Sequence, residues 1–216
     1  MNSRCLNLPE IEKSLFAFRK EFAGLNARLS VAREDFTAQS GENILAAYRY
    51  MNELLQSGIN IFDRSGLHSL LELNHLVLCG NDSKKRLEYH EYILETRTRF
   101  QNNIPKILKF YEKNKSSLTP AELAVHIYSR SLSQPQLFIE GNHRTGNVMI
   151  NFILISSGAP VFIIDPENAF DYLELSADIK FTSKERLGAD VMHFNKYRKR
   201  LIRILEKYCN KKFITG

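Results

Sequence analysis

Apolar residues in this chain recur mostly three and four positions apart, the period of one buried helix face. Across 9–36, Ile11, Leu15, Phe18, Phe22, Leu25 and Leu29 form such a stripe and predict one long helix. A polar break from Asp35 to Asn43 follows. A second helix is expected from about Glu42 to Gln56, carried by Ile44, Leu45, Tyr48, Met51 and Leu55 and closed by Ser57-Gly58. Ser65-Gly66 opens an apolar helix that runs to about Cys79, and Gly80-Asn81-Asp82-Ser83 reads as a turn. At Thr119-Pro120-Ala121-Glu122 a threonine cap, a first-turn proline and a glutamate three residues on form a capping box. That helix ends near Leu132. The next is apolar almost all round (Val148, Met149, Phe152, Ile153, Leu154), which assigns it to the centre of the core.

Ser157-Gly158-Ala159-Pro160 closes the central helix, and Val161-Phe162-Ile163-Ile164 reads as a short buried extended run. Asp165-Pro166 starts another helix, and Thr182-Ser183-Lys184-Glu185 is a second capping box. Tyr92-Ile93-Leu94-Glu95-Thr96 favours strand but lacks a long alternation. It suits either a strand pair or a loop leading into a helix over 104–114. The expected class is all-α with, at most, a small β-hairpin.

A length of 216 residues with 44% hydrophobic content suits one globular unit, an N-terminal helix (1–36) followed by the main body (37–216). No apolar run approaches the roughly 20 residues that a membrane helix needs, so no membrane partner is expected. The first residues have no apolar secretory core. Cys5, Cys79 and Cys209 are odd in number and far apart, which points to a reducing, cytoplasmic setting. The net charge of +6 gathers late in the chain, at Lys196, Arg198, Lys199, Arg200, Arg203, Lys207, Lys211 and Lys212. Met192, Tyr197, Leu201, Leu205 and Tyr208 recur among these cations, so an amphipathic helix with a basic, solvated face is expected. No nucleic-acid fold or aromatic-basic interleaving accompanies it, and nucleic acid is not an expected partner.

The chemistry concentrates in Gln136-Leu137-Phe138-Ile139-Glu140-Gly141-Asn142-His143-Arg144-Thr145-Gly146-Asn147. Gly141 and Asn142 can aim successive N–H groups at an anion. A helix starting near Arg144 adds its free N–H groups and positive dipole end. Arg144 can fork onto phosphate oxygens, and Glu140 can hold a magnesium ion that bridges phosphates. The plain alternative is a polar helix start, with Asn142 as a cap and Arg144 in solvent.

The same segment resembles the signature loop of the Fic family, His-x-Phe-x-(Asp/Glu)-Gly-Asn-Gly-Arg-x-x-Arg. Phe138, Glu140, Gly141, Asn142 and Arg144 match it, and Leu70-Leu71-Glu72-Leu73-Asn74-His75-Leu76 resembles the family's upstream helix. Gln136, His143 and Asn147 depart, standing for the histidine, the second glycine and the second arginine. The resemblance implies a helical bundle, a β-hairpin flap between Tyr89 and Phe100 that clamps a protein target, and AMP transfer from ATP to a protein hydroxyl. It implies Glu140 on magnesium, with Gly141, Asn142, His143, Arg144 and Asn147 around the nucleotide phosphates. Gln136 stands at the catalytic position but has no proton to exchange near neutral pH, whereas imidazole does. His143 is the other candidate base. The alternative is an inactive nucleotide- or protein-binding regulatory module. Ala38-Gln39-Ser40-Gly41-Glu42-Asn43 resembles the family's inhibitory motif, with Glu42 as the obstructing carboxylate; read plainly, it is a helix start with Ser40 as the cap. His75 and His126, in apolar helical runs, read as core histidines.

Overall fold

The computed structural model describes residues 4–183 and 189–215, and among these the chain forms nine α-helices and one two-stranded ladder. The helices are α1 (Leu8–Asn26), α2 (Ala38–Gln56), α3 (Leu67–Cys79), α4 (Ser83–Glu88), α5 (His90–Asn114), α6 (Pro120–Leu132), α7 (Asn142–Ser156), α8 (Ala169–Phe181) and α9 (Ala189–Tyr208). The class is all-α, as the helical period implies. Strands β1 (Cys5–Leu6) and β2 (Ile214–Thr215) pair antiparallel, with Cys5 opposite Thr215.

The axis of the bundle is α7, buried without a break from Val148 to Ile155 and packed against α6, α3 and α2. Gly146 permits this closeness. A Cβ there would stand 2.7 Å from the Tyr128 ring of α6, inside any normal contact. Asn151 then holds the run 161–164 extended. Its amide donates to the Phe162 carbonyl and accepts from the Phe162 N–H, both at 2.8 Å. The Thr119–Glu122 capping box forms in full: Thr119 accepts from the Glu122 N–H, and Glu122 from the Thr119 N–H.

Several boundaries differ from the sequence expectation. Helix α1 stops at Asn26, not near residue 36. The Asn26 side chain accepts from the Arg33 N–H (2.7 Å) and donates to its carbonyl (2.9 Å), giving the backbone a partner other than a helix turn. Residues 27–37 therefore form a strap between α1 and α2. Thr37, not Ser40, caps α2. The strand pair expected between Tyr89 and Phe100 does not form, because that stretch is the start of α5. Thr96, Phe100, Ile104 and Ile107 make a buried stripe at helical spacing, which overrides the local strand preference of Tyr92 to Thr96. The one ladder instead joins residues near the two ends of the chain. Helix α8 begins at Ala169, after a turn in which the Asp165 carboxylate accepts from the Glu167 and Asn168 N–H groups. Lys184 and Glu185 of the second capping box lie outside the described residues.

Helix α9 buries Leu201 and Leu205, as its spacing implies. Arg198 is an exception to its basic face: it is only 9% exposed and lies over the Phe194 ring at 3.7 Å. Helix α1 packs on α2, and its Phe18, Phe22 and Leu25 build a second apolar cluster with Leu29 and Ala169. Among the described residues no helix is long and apolar enough to cross a membrane.

Candidate functional site

The loop before α7 is pinned from several sides. The Leu137 N–H donates to the Ser131 carbonyl at the end of α6. Phe138 is buried and stacks on Phe100 with ring centroids 5.6 Å apart. Asn142 turns its side chain back onto the loop, accepting from the Phe138 N–H and donating to the Phe138 carbonyl, both at 2.9 Å. Asn74 of α3 donates to the Glu140 carbonyl and to the Thr145 hydroxyl, each at 3.0 Å. Gly141 completes the turn with a φ of 72°, in the left-handed region. A Cβ at that position would meet Asn74 Nδ2 at 3.0 Å, so both conformation and space call for glycine.

Helix α7 starts at Asn142, two residues before the expected Arg144, and Thr145 is the first residue whose N–H bonds back, to the Gly141 carbonyl. The N–H groups of the first turn and the dipole of α7 therefore face a cavity of about 480 Å³. That volume falls within the roughly 300–1,000 Å³ typical of small-molecule sites. Phe18, Phe22, Phe36, Ile164 and Leu173 supply apolar lining; Gln136, Gly141, His143, Arg144 and Lys180 supply polar lining. Three carboxylates, Glu34, Asp35 and Glu140, also line it, all on exposed residues.

Gln136, Glu140, Gly141, Asn142, His143, Arg144 and Asn147 thus meet around one cavity, but several have particular partners. Arg144 donates to the Val77 carbonyl near the end of α3 (3.0 Å). Burial lowers its pKa, and Glu34 and Glu140 act against that. Asn147 accepts from the Tyr48 hydroxyl (2.7 Å) and from Asn151 (3.3 Å). Gln136 is 8% exposed, and its Nε2 has no hydrogen-bond partner.

His143 is held neutral. Burial, then Arg33, Lys180 and Arg144, push its pKa down to about 3. Arg33 Nη1 lies 3.0 Å from His143 Nε2. A guanidinium can only donate, so Nε2 is the acceptor and the ring proton sits on Nδ1, which is buried without a partner. A histidine whose acceptor nitrogen is already occupied is a poor base, which weighs against the expected role of His143 as the base.

Glu42 is exposed and lies outside the cavity lining, so it does not stand where an obstructing carboxylate would. Ser40, Ile44 and Tyr48 present one face of α2 to the cavity, and Glu42 lies about 200° round the helix from Ser40. Arg33, Tyr48, Tyr172 and Lys180, by contrast, line the cavity without having been singled out in the sequence. His75 stands 3.7 Å from Glu72, and His126 stacks on Phe110, away from the cavity.

No protein-family model and no curated protein matches the sequence. Among solved structures, the chain is similar to a Fic domain containing signaling protein from Bacteroides thetaiotaomicron. The TM-score is 0.52 at 18% identity, over 93% of this chain and 86% of that one. At such identity the likeness concerns the fold, and the fold is Fic-like.

Proposed function

We propose that this chain, with its Fic-like fold, binds a phosphate-bearing nucleotide at the start of α7 and acts as a regulatory binding module. The observation that carries this reading is the unanswered polarity of the cavity. Arg33 Nε, Gln136 Nε2 and His143 Nδ1 are buried donors with no partner, and all three residues line the cavity that the α7 N-terminus faces. Each buried donor without a partner costs about 1–3 kcal/mol, and Arg33, Arg144 and Lys180 on the same lining supply the positive charge that an anion at the α7 start would meet. Glu140 would contribute one carboxylate to magnesium. Among the described residues no cluster of three or more His, Cys, Asp or Glu side chains could hold a metal. The ion would therefore come with the phosphates, whose oxygens supply the remaining ligands.

AMP transfer to a protein hydroxyl is the less supported reading. Gln136 has no titrating group, and Arg33 occupies the acceptor nitrogen of His143. The test is calorimetric titration with ATP, with and without magnesium. Binding is expected to strengthen with magnesium, and Arg144→Ala is expected to weaken it about tenfold or more. Lys199→Ala, on the exposed face of α9, is expected to leave it unchanged. Equal losses in the two variants, or no binding by the parent chain, would overturn the proposal.

A further inference from the structure

The strap 27–37 lacks regular structure yet is firmly fastened. Asn26 brackets the Arg33 backbone, and Ser30 donates through its N–H (2.6 Å) and its hydroxyl (2.7 Å) to the Glu174 carboxylate of α8. These fastenings send the Arg33 side chain across to α7 and α8. Nη1 meets His143 Nε2 at 3.0 Å, and Nη2 donates to the Leu173 carbonyl at 2.7 Å and the Ser176 hydroxyl at 3.1 Å. All three acceptors are neutral. Among the described residues no carboxylate pairs with this guanidinium. Arg33 Nε is buried and unpartnered, as are His143 Nδ1 and the amide nitrogen of Gln136, itself 8% exposed. The Glu174 carboxylate acts on this guanidinium only from a distance, so a partly buried cation bonded solely to neutral acceptors has room to gain from a directly bound anion.

The position of Arg33 gives the charge a use. His143 and Arg144 are consecutive and so project about 100° apart around α7. Arg33 stands on His143, and Arg144 reaches Val77, so two cations flank the same helix start from two sides. Position 147, one turn beyond His143 on the same face, is the neutral Asn147, tied to Tyr48. Helical side chains lean toward the N-terminus, so an arginine at 147 would reach back to the region that the Arg33 guanidinium occupies. A monophosphate cannot engage both flanks as well as linked phosphates can.

We infer that Arg33 is a second anion-binding residue of the cavity and that the ligand is a di- or triphosphate, not a monophosphate. This rests on the phosphate reading of the α7 site and goes further by assigning the strap a share in binding. The experiment is titration of the full chain with inorganic pyrophosphate, ATP and AMP, each with magnesium, for the parent and for Arg33→Gln. The variant is expected to lose about 10–100-fold in affinity for pyrophosphate and ATP, the worth of one charge-assisted contact. AMP binding should change less than threefold. Arg28→Gln, which removes an exposed cation from the same strap, should change neither. Arg33→Gln with Asn147→Arg should recover most of the pyrophosphate affinity, which a merely structural role for Arg33 would not predict.

Equal loss for AMP and pyrophosphate would overturn the inference and leave the α7 site standing. Tighter binding in Arg33→Gln would also overturn it, by making Arg33 a plug that ligands must displace. No binding of any probe by the parent would remove the phosphate reading itself and this inference with it. Should Arg33→Gln fail to fold, Arg33→Lys keeps the charge and loses the fork. A several-fold loss of pyrophosphate affinity is then expected, and unchanged affinity would refute the assignment.

Discussion

Lowering the pH from 7 to 5 protonates an ordinary histidine, whose pKa is 6.5, but not His143, which burial and then Arg33, Lys180 and Arg144 hold at about 3. The folded pKa lies below the unfolded one, so the unfolded chain takes up the proton first as pH falls. The stabilisation from this residue is therefore complete above pH 6.5 and is lost progressively between 6.5 and about 3. Linkage puts the loss at about 2 kcal/mol by pH 5, on the way to a limit of about 5 kcal/mol at about 1.4 kcal/mol per pH unit. That is a large share of a typical domain's stability. Urea unfolding of the parent and of His143→Gln at pH 7, 6 and 5 measures it. Glutamine can still accept from Arg33 but has nothing to protonate. His126, which burial and then Arg198 and Arg130 push down to about 4, acts in the same sense in both proteins and cancels in the difference. The gap between the two pH profiles should be about 2 kcal/mol at pH 5. Parallel profiles would refute the enclosed, Arg33-bonded imidazole.

Asn142→Ala removes both hydrogen bonds to Phe138 and leaves two buried backbone groups unanswered, so a loss of about 2–4 kcal/mol is expected in urea unfolding. A loss below about 1 kcal/mol would mean that the loop finds other partners. Gln136→His puts a titratable group at the loop position nearest the expected chemistry; if the site binds nucleotide but lacks only a base, the variant should label protein with radioactive nucleotide at least tenfold above the parent. No gain in a chain that still binds nucleotide would count against a dormant transferase.

Much of the scaffold was legible in the sequence because its causes are local. The Thr119–Glu122 box and the nearly all-apolar run of α7 depend on near neighbours, and they appear where expected. Gly141 was readable for the same reason: its turn needs a backbone angle that few residues adopt. The hairpin expected at Tyr92 failed because the local strand preference of Tyr92, Ile93 and Thr96 is outweighed by a four-residue buried stripe running through Ile107. Glu42 was assigned from its neighbours in sequence, whereas its orientation depends on which face of α2 meets the cavity. Arg33 gave no signal at all. It is an arginine near the end of the expected first helix, and its partner His143 lies 110 positions away.

The pairing of β1 with β2 has a kinetic consequence. Leu6 faces Ile214, and the Leu6 backbone is also bound on both its N–H and its carbonyl by Asn52 of α2. Meeting from the unfolded chain would mean closing a loop of nearly the full sequence, the most entropically demanding contact here. Once the helices between have packed, the two segments are already neighbours. On loop-closure entropy the ladder is expected among the last contacts to form, after the transition state. Contacts formed that late leave the folding rate nearly untouched and act on how quickly the molecule comes apart. These few residues serve as a latch on the lifetime of the native state.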